Sequence, residues 1–138
     1  MLDFLGNKYF VALALPLILI FCGALIKKIV RSSGWRKNDF YLGYELVVSA
    51  IGAALVNVFD LSKQVSNGQM TAEINSQLVK NGGYLGLILF VLFVLMALHQ
   101  DWENVVGKPK RQIFYLIGCG NLLGVASFAS FVLWVKGV

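Results

Sequence analysis

The chain has 138 residues, of which 58% are apolar, 14% are charged and two are proline. Soluble domains are nearer about 45–50% apolar and about 25% charged. A water-soluble core cannot hide this excess, because a soluble chain of this length leaves roughly a third of its unfolded surface exposed. The composition also excludes disorder, a coiled-coil rod and, with two cysteines, a disulfide scaffold. We therefore expect a small polytopic membrane protein.

Long windows nearly free of charge predict four transmembrane helices. A helix needs about 20 such residues to cross about 30 Å of hydrocarbon. Continuous apolarity favours helices over barrel strands, whose two faces alternate. The sequence therefore predicts an all-α fold with a single transmembrane domain, residues 1–138, and with helices over residues 9–30, 39–60, 82–100 and 112–136.

The positions of the basic residues predict the direction of the helices. Two loops that lie on the same side of the four-span layout contain eight of the twelve basic residues: Lys27, Lys28, Arg31, Arg36, Lys37, Lys108, Lys110 and Arg111. The positive-inside rule assigns these loops to the cytoplasm. We expect a multi-pass protein of the bacterial inner membrane, with both termini outside.

The net charge of +5 follows from this topology. No RNA-binding or helix-turn-helix pattern accompanies it, so direct nucleic-acid binding is not expected. The expected partner of the basic loops is the lipid bilayer with its anionic headgroups.

Small residues predict where helices approach closely in lipid, because the hydrophobic effect does not drive helix contacts there. The predicted packing residues are Gly82, Gly86, Ala53, Gly120, Gly124 and Ser127. Contacts within one chain are the favoured interpretation, and contacts between chains are the alternative. The third helix is large and apolar all round from Leu87 to Leu98, which is typical of a helix that faces lipid.

One stripe of the second predicted helix combines a carboxylate with small side chains. At helical spacing it contains Glu45, Ser49, Gly52 and Val56. An ionisable group in a membrane is a functional candidate, here a carboxylate that faces a water-filled cavity or a cation path. The favoured alternative is that Glu45, only about 8 Å deep by the helical rise, pairs near the headgroups with Arg36, Lys37 or the other basic loop.

Three further polar residues fall within or beside the predicted spans. Asn57 and Asn121 either bond across helices, which is the commoner role, or line a polar lumen. His99 is the only histidine; a gating role at the inner mouth is the sharper interpretation, and an interfacial residue without chemistry is the favoured one. The sequence has no metal-ligand pattern, nucleophile elbow or phosphate loop, so neither an enzyme nor a cofactor is expected.

Residues 60–81 are predicted to form a loop that consists of a polar linker followed by a short helix. Thr71 is placed to cap this helix, and Asn81-Gly82 is placed to stop it.

The second predicted helix lies between Lys37-Asn38-Asp39-Phe40-Tyr41-Leu42-Gly43 and Asn57-Val58-Phe59-Asp60-Leu61. With the overall size, the four-span layout and the absence of a soluble domain, these segments resemble the small four-span membrane effectors of bacterial anti-phage defence. The resemblance is to the Hailong HalB-like channels and, in second place, to the Kiwa KwaA-like membrane subunits. It implies an oligomeric channel that a soluble partner keeps shut and that opens on infection to depolarise the inner membrane.

Four close-packed helices leave little room for water, so conduction by this chain requires several copies around an axis. We expect a symmetric homo-oligomer that forms a pore or ion channel as a defence effector. The pore-lining or gating candidates are Glu45, Ser49, Gly52, Asn57, Asn121 and His99. Two alternatives are a small secondary transporter that uses Glu45, and a non-conducting scaffold or sensor subunit that recruits a soluble partner through the basic loops.

Overall fold

A computed structural model describes residues 7–103, 107 and 110–135, with the backbone alone at residues 37, 38, 101–103, 110, 112 and 113. The described residues form four long helices: α1 (Lys8–Arg31), α2 (Gly43–Ser66), α3 (Ala72–Glu103) and α4 (Lys110–Ser130). A short 3-10 helix (Lys37–Phe40) precedes α2, and a π-helical turn (Phe131–Val135) continues α4. All four long helices are long and apolar enough to cross a membrane, which confirms the predicted all-α class and the four candidate spans.

Helices α2 and α4 form the centre of the bundle. Helix α2 packs extensively against both α3 and α4, while α1 packs mainly against α4. Contacts between α1 and α2 are few, as are those between α3 and α4. The two outer helices therefore flank a central pair.

The interior of the bundle is apolar. Its core consists of Ala12, Val47, Ala50, Ala54, Tyr84, Ile88, Leu95, Phe128, Phe131, Val132 and Val135. In the described part of the chain, the buried polar or charged residues are Asp39 and Asn81. The hydroxyl of Tyr84 donates to the Ser127 carbonyl oxygen at 2.6 Å and so links α3 to α4. Among the residues that the structure describes, no polar path runs through this core.

Helices α2 and α3 form a long hairpin, which corrects the predicted polar linker and short surface helix. Only residues 67–71 connect the two helices, and Gly68 adopts a positive φ of 79° there. Thr71 Oγ1 accepts the Ile74 N–H at 3.2 Å, so the predicted cap is confirmed. Leu61 and Ile74 are both buried, and their burial stabilises helix beyond the predicted ends.

The predicted stop at Asn81-Gly82 is wrong. Asn81 Nδ2 donates to the Gln77 carbonyl oxygen within the same helix at 2.9 Å, and its side chain is buried. An asparagine whose amide is satisfied inside the helix does not end it. Helix α3 spans 32 residues, about 48 Å at 1.5 Å per residue, and therefore exceeds the hydrocarbon thickness of about 30 Å.

The observed start of α2 also differs from the prediction. The sequence predicts a helix from residue 39, whereas α2 begins at Gly43 after the 3-10 helix. The Asp39 carboxylate is engaged by α1 and by the Arg36 N–H, which holds this segment outside α2. Glu45 consequently lies in the first turn of α2, shallower than the sequence suggested.

Candidate functional site at the basic end of the bundle

Polar contacts concentrate where α1 ends and α2 begins, which we call the basic end; the opposite end, with residues 67–71, is the turn end. Arg31 binds Asp39 through two hydrogen bonds, Nη1 to Oδ1 at 2.5 Å and Nη2 to Oδ2 at 2.7 Å. The Asp39 carboxylate also accepts the Arg36 N–H at 2.8 Å. This bidentate pair closes the connection between the two helices.

The same pair determines the ionisation of Asp39. The Asp39 side chain is 2% exposed. The hydrogen bond from the Arg31 guanidinium, assisted by the Arg36 N–H, lowers the pKa of the Asp39 carboxyl to about 2. The carboxylate is therefore ionised at neutral pH.

A second ion pair joins α1 directly to α2. Lys27 Nζ lies 2.5 Å from Glu45 Oε1 and donates to the Tyr41 carbonyl oxygen at 2.9 Å. Both charged side chains are 33% exposed. The predicted pairing of Glu45 with Arg36 or Lys37 is therefore corrected to Lys27. The carboxylate also lies in the first turn of α2, where it interacts favourably with the helix dipole.

His99 brings the end of α3 to this cluster. Its ring stacks on Tyr41 with centroids 5.0 Å apart and an interplanar angle of 7°, and it contacts the Tyr44 ring at 5.7 Å. Lys27 Nζ lies 5.6 Å from the centroid of Tyr44. His99 thus packs among aromatic rings next to the Lys27–Glu45 pair.

Asn121 of α4 supplies the cap that α2 lacks. The N-cap residue of α2, Leu42, has no side-chain capping bond of its own. Asn121 Oδ1 accepts the Leu42 N–H at 2.9 Å, and Asn121 Nδ2 donates to the Phe40 carbonyl oxygen at 2.6 Å. Of the two roles considered for Asn121, the structure places it in bonding between helices.

Glycines bring the α2 and α4 backbones into contact beside this cap. A Cβ added at Gly43 would overlap the Gly120 carbonyl, and one added at Gly124 would lie 2.6 Å from the Gly43 carbonyl oxygen. A Cβ at Gly120 would lie 2.6 Å from the Tyr41 ring. Close approach of these helices therefore requires the absence of side chains.

Of the other four residues predicted for helix packing, two contact the rest of the bundle and two are exposed. Ala53 packs against the core, and Ser127 accepts the Tyr84 hydroxyl through its carbonyl. By contrast, Gly82 and Gly86 are exposed, and a Cβ on either would meet nothing within 4 Å. The prediction that Gly82 and Gly86 pack within the chain is therefore wrong, because a different face of α3, with Asn81 and Tyr84, is the buried one.

The stripe predicted on α2 faces away from the bundle beyond Glu45, which pairs with Lys27 of α1. Ser49 and Gly52 are exposed, and Val56 is 63% exposed. Ser49 Oγ donates to the Glu45 carbonyl oxygen at 2.8 Å, and nothing lies within 4 Å of a Cβ at Gly52. We call Glu45, Ser49, Gly52 and Val56 the α2 stripe. Asn57 is half-buried near its far end, and its Nδ2 has no hydrogen-bond partner among the described residues.

Two grooves flank the α2 stripe. The groove between α1 and α2 measures about 330 Å³ and is lined by Cys22, Gly23, Lys27, Glu45 and Ser49 among others. The groove between α2 and α3 measures about 780 Å³ and includes Tyr44, Phe93 and His99. The described residues contain no group of three or more His, Cys, Asp or Glu side chains that could hold a metal ion.

Sequence reasoning missed the pairing of charges at the basic end. Lys27 and Arg31 lie one turn apart on α1, and each binds one acid, Glu45 or Asp39. These are the acids that lie between Asp3 and Asp60 in the sequence. The available signal was that two bases one helical turn apart are followed in the sequence by two acids.

These features define an all-α protein with four helices that are long and apolar enough to span a membrane. Comparison of the chain with protein-family models, curated proteins and solved structures gave no match. Any functional assignment therefore depends on the geometry of the chain.

Proposed function

We propose that the chain is a subunit of a homo-oligomeric pore or ion channel in the bacterial inner membrane. The observation that carries the proposal is the outward position of the α2 stripe, with Ser49 and Gly52 exposed, beside an interior filled by apolar side chains. Because the described core of a single copy is apolar, a water path requires several copies. The α2 stripe is then the lining nearest the axis.

The charges at the basic end give this path its selectivity. Each copy contributes one Lys27–Glu45 pair at the start of the α2 stripe, with both side chains still partly exposed. The pair is neutral as a whole, so removing one of its charges leaves a ring of the other sign, and such rings set the sign and preference of the permeant ion. The His99 ring lies beside the same mouth and is the gating candidate that we retain.

Contacts between copies have a candidate surface on α3. Gly82 and Gly86 are exposed on one face, and small residues at this spacing let helices approach in lipid. Leucine at both positions is expected to weaken the oligomer. The same change at Gly52 is expected to obstruct the path.

The test is purification in detergent, determination of the oligomer mass and ion flux in liposomes. We expect a defined oligomer with measurable flux, and a monomer without conductance would contradict the proposal. Glu45→Gln is expected to retain flux with altered ion selectivity, whereas Glu73→Gln, an exposed acid at the turn end, is the matched control. Loss of all flux in Glu45→Gln at every pH would favour the transporter. Absence of flux with retention of a soluble partner at the basic loops would favour the scaffold.

Anti-phage defence is the physiological setting that we propose, on the resemblance of size and layout. Expression with its neighbouring genes is then expected to reduce phage plating and to depolarise the inner membrane during infection. A voltage-sensitive dye measures this depolarisation. Protection without any loss of membrane potential would contradict the effector role while leaving conduction in liposomes as a separate question.

A further inference from the structure

The connection between α1 and α2 is folded around one arginine. Besides its two bonds to Asp39, Arg31 donates through Nε to Ser33 Oγ at 2.6 Å and through Nη2 to the Gly34 carbonyl oxygen at 2.9 Å. Asp39 also accepts the Arg36 N–H. We call residues 32–40 the Trp35 loop; these bonds fix its shape without any external partner.

The loop displays an indole ring towards its surroundings. Trp35 is 46% exposed. Lys28 Nζ lies 4.4 Å from the centroid of its ring, and the Phe40 ring stacks on it with centroids 5.4 Å apart. A cation–π contact and an aromatic stack together hold the indole in place.

Apolar side chains next to the loop fix its depth in the membrane. Ile29 and Val30, in the last turn of α1, are 70% and 80% exposed. In a protein that spans a membrane, the hydrocarbon region is the favourable surrounding for such side chains. The Trp35 loop therefore lies at the boundary between acyl chains and headgroups, where tryptophan is enriched.

The outward charge of the loop is positive. Asp39 is neutralised by Arg31 and is 2% exposed, so it contributes little to the surface. Lys28 presents its ammonium group beside the Trp35 ring, and Arg36, the next residue in the loop, is exposed. Neither of these two basic side chains is part of the salt bridges that link α1 to the start of α2.

We propose that the Trp35 loop is a preformed binding site for the headgroup of an anionic phospholipid, with Lys28 and Arg36 as the phosphate ligands. The ligand is a lipid and not free phosphate, because Ile29 and Val30 place the site against acyl chains. The bond network of Arg31 and Asp39 holds the site open before lipid arrives. This site is independent of any pore.

The test uses a protein whose single tryptophan is Trp35, made by Trp102→Phe and Trp134→Phe, in phosphatidylcholine vesicles. Quenching of Trp35 by brominated phosphatidylglycerol is compared with quenching by brominated phosphatidylcholine. We expect the anionic lipid to bind about 25-fold more tightly, and Lys28→Gln and Arg36→Gln each to reduce this preference about fivefold. The matched controls Lys63→Gln and Lys80→Gln, at the turn end, are expected to retain it. Equal quenching by the two lipids, or a preference that survives the double change at Lys28 and Arg36, would overturn the proposal.

Asp39→Asn separates a preformed site from general surface charge. Removing a negative charge strengthens attraction of anionic lipid if only net charge matters. In a preformed site the same change weakens it, because the bidentate bond with Arg31 is lost and the loop opens. We expect a reduced preference in Asp39→Asn, and an increased or unchanged preference would overturn the preformed site.

Discussion

The two ends of the bundle are stabilised by different interactions. Most core side chains lie in the half towards the turn end, where Tyr84, Phe131 and Val135 bring α3 and the end of α4 together. At the basic end the ties are directional: two ion pairs, the Asn121 cap and close glycine contact. Apolar packing in lipid barely distinguishes a helix from an acyl chain. Polar and backbone contacts therefore position α1 and α2 at the basic end.

The largest expected change in stability is at the glycine contact between α2 and α4. Gly43→Ala is expected to destabilise the fold by about 2–3 kcal/mol, because the added methyl group overlaps the Gly120 carbonyl. Gly52→Ala, on the same helix with open space around it, is expected to be neutral or to stabilise by up to about 1 kcal/mol. Unfolding by SDS titration in mixed micelles measures both. Equal changes in the free energy of unfolding at the two positions would show that the close approach at Gly43 does not stabilise the basic end.

The Asn121 cap is expected to be the next largest contribution. Asn121→Leu leaves the Leu42 N–H and the Phe40 carbonyl without their partner and is expected to cost about 1–2 kcal/mol. Asn57→Leu is the matched control, since no bond from Asn57 Nδ2 is present among the described residues. Its expected cost is below about 0.5 kcal/mol. If both variants unfold alike in the same micelles, the cap contributes nothing specific.

The Lys27–Glu45 pair is expected to make a smaller contribution. A double-mutant cycle with Lys27→Met and Glu45→Gln should give a coupling of about 0.5–1 kcal/mol, because both side chains are partly exposed. The same cycle on Lys63 and Glu73, which form no salt bridge in the structure's described ranges, should give no coupling. Strictly additive changes in stability at Lys27 and Glu45 would show that this ion pair does not stabilise the contact between α1 and α2.

The Arg31–Asp39 pair predicts a pH dependence confined to acid. The pKa of Asp39 is about 2 in the folded chain against 3.8 ordinarily. The folded state therefore binds fewer protons between these values, so the contribution of Asp39 to stability is present above about pH 4 and is lost as the pH falls towards 2. Unfolding of the wild type and of Asp39→Asn in micelles should converge at low pH. Parallel curves across this range would contradict the assignment.

The sequence predicted the four candidate spans because hydropathy and charge-free length suffice for that purpose. The boundaries of α2 and α3 were wrong because they depend on contacts between distant segments. Asp39 is held by Arg31, so α2 starts at Gly43, and Leu61 and Ile74 bury helical extensions at the turn end. No local propensity encodes such contacts.

The types of residue at the candidate site could be predicted from the sequence, but their contact partners could not. Periodicity placed Glu45, Ser49 and Gly52 on one stripe, yet it could not say that the stripe faces outward, because both faces of a membrane helix are apolar. The same ambiguity led to Gly82 and Gly86 being assigned to internal packing. Asn121 was expected to bond between helices, but only the structure identifies its partners, which are backbone groups 79 and 81 residues away.

Thiol accessibility tests whether the outward stripe of α2 lines a water path between copies. In a protein with Cys22 and Cys119, both exposed, replaced by alanine, Ser49→Cys is compared with Leu122→Cys, whose native side chain is 69% exposed on α4. A charged methanethiosulfonate reagent requires water and a thiolate. We expect the reagent to block ion flux through the Ser49→Cys protein and to leave flux through the Leu122→Cys protein unaffected. Undiminished flux after treatment of Ser49→Cys, or equal block of both proteins, would contradict it.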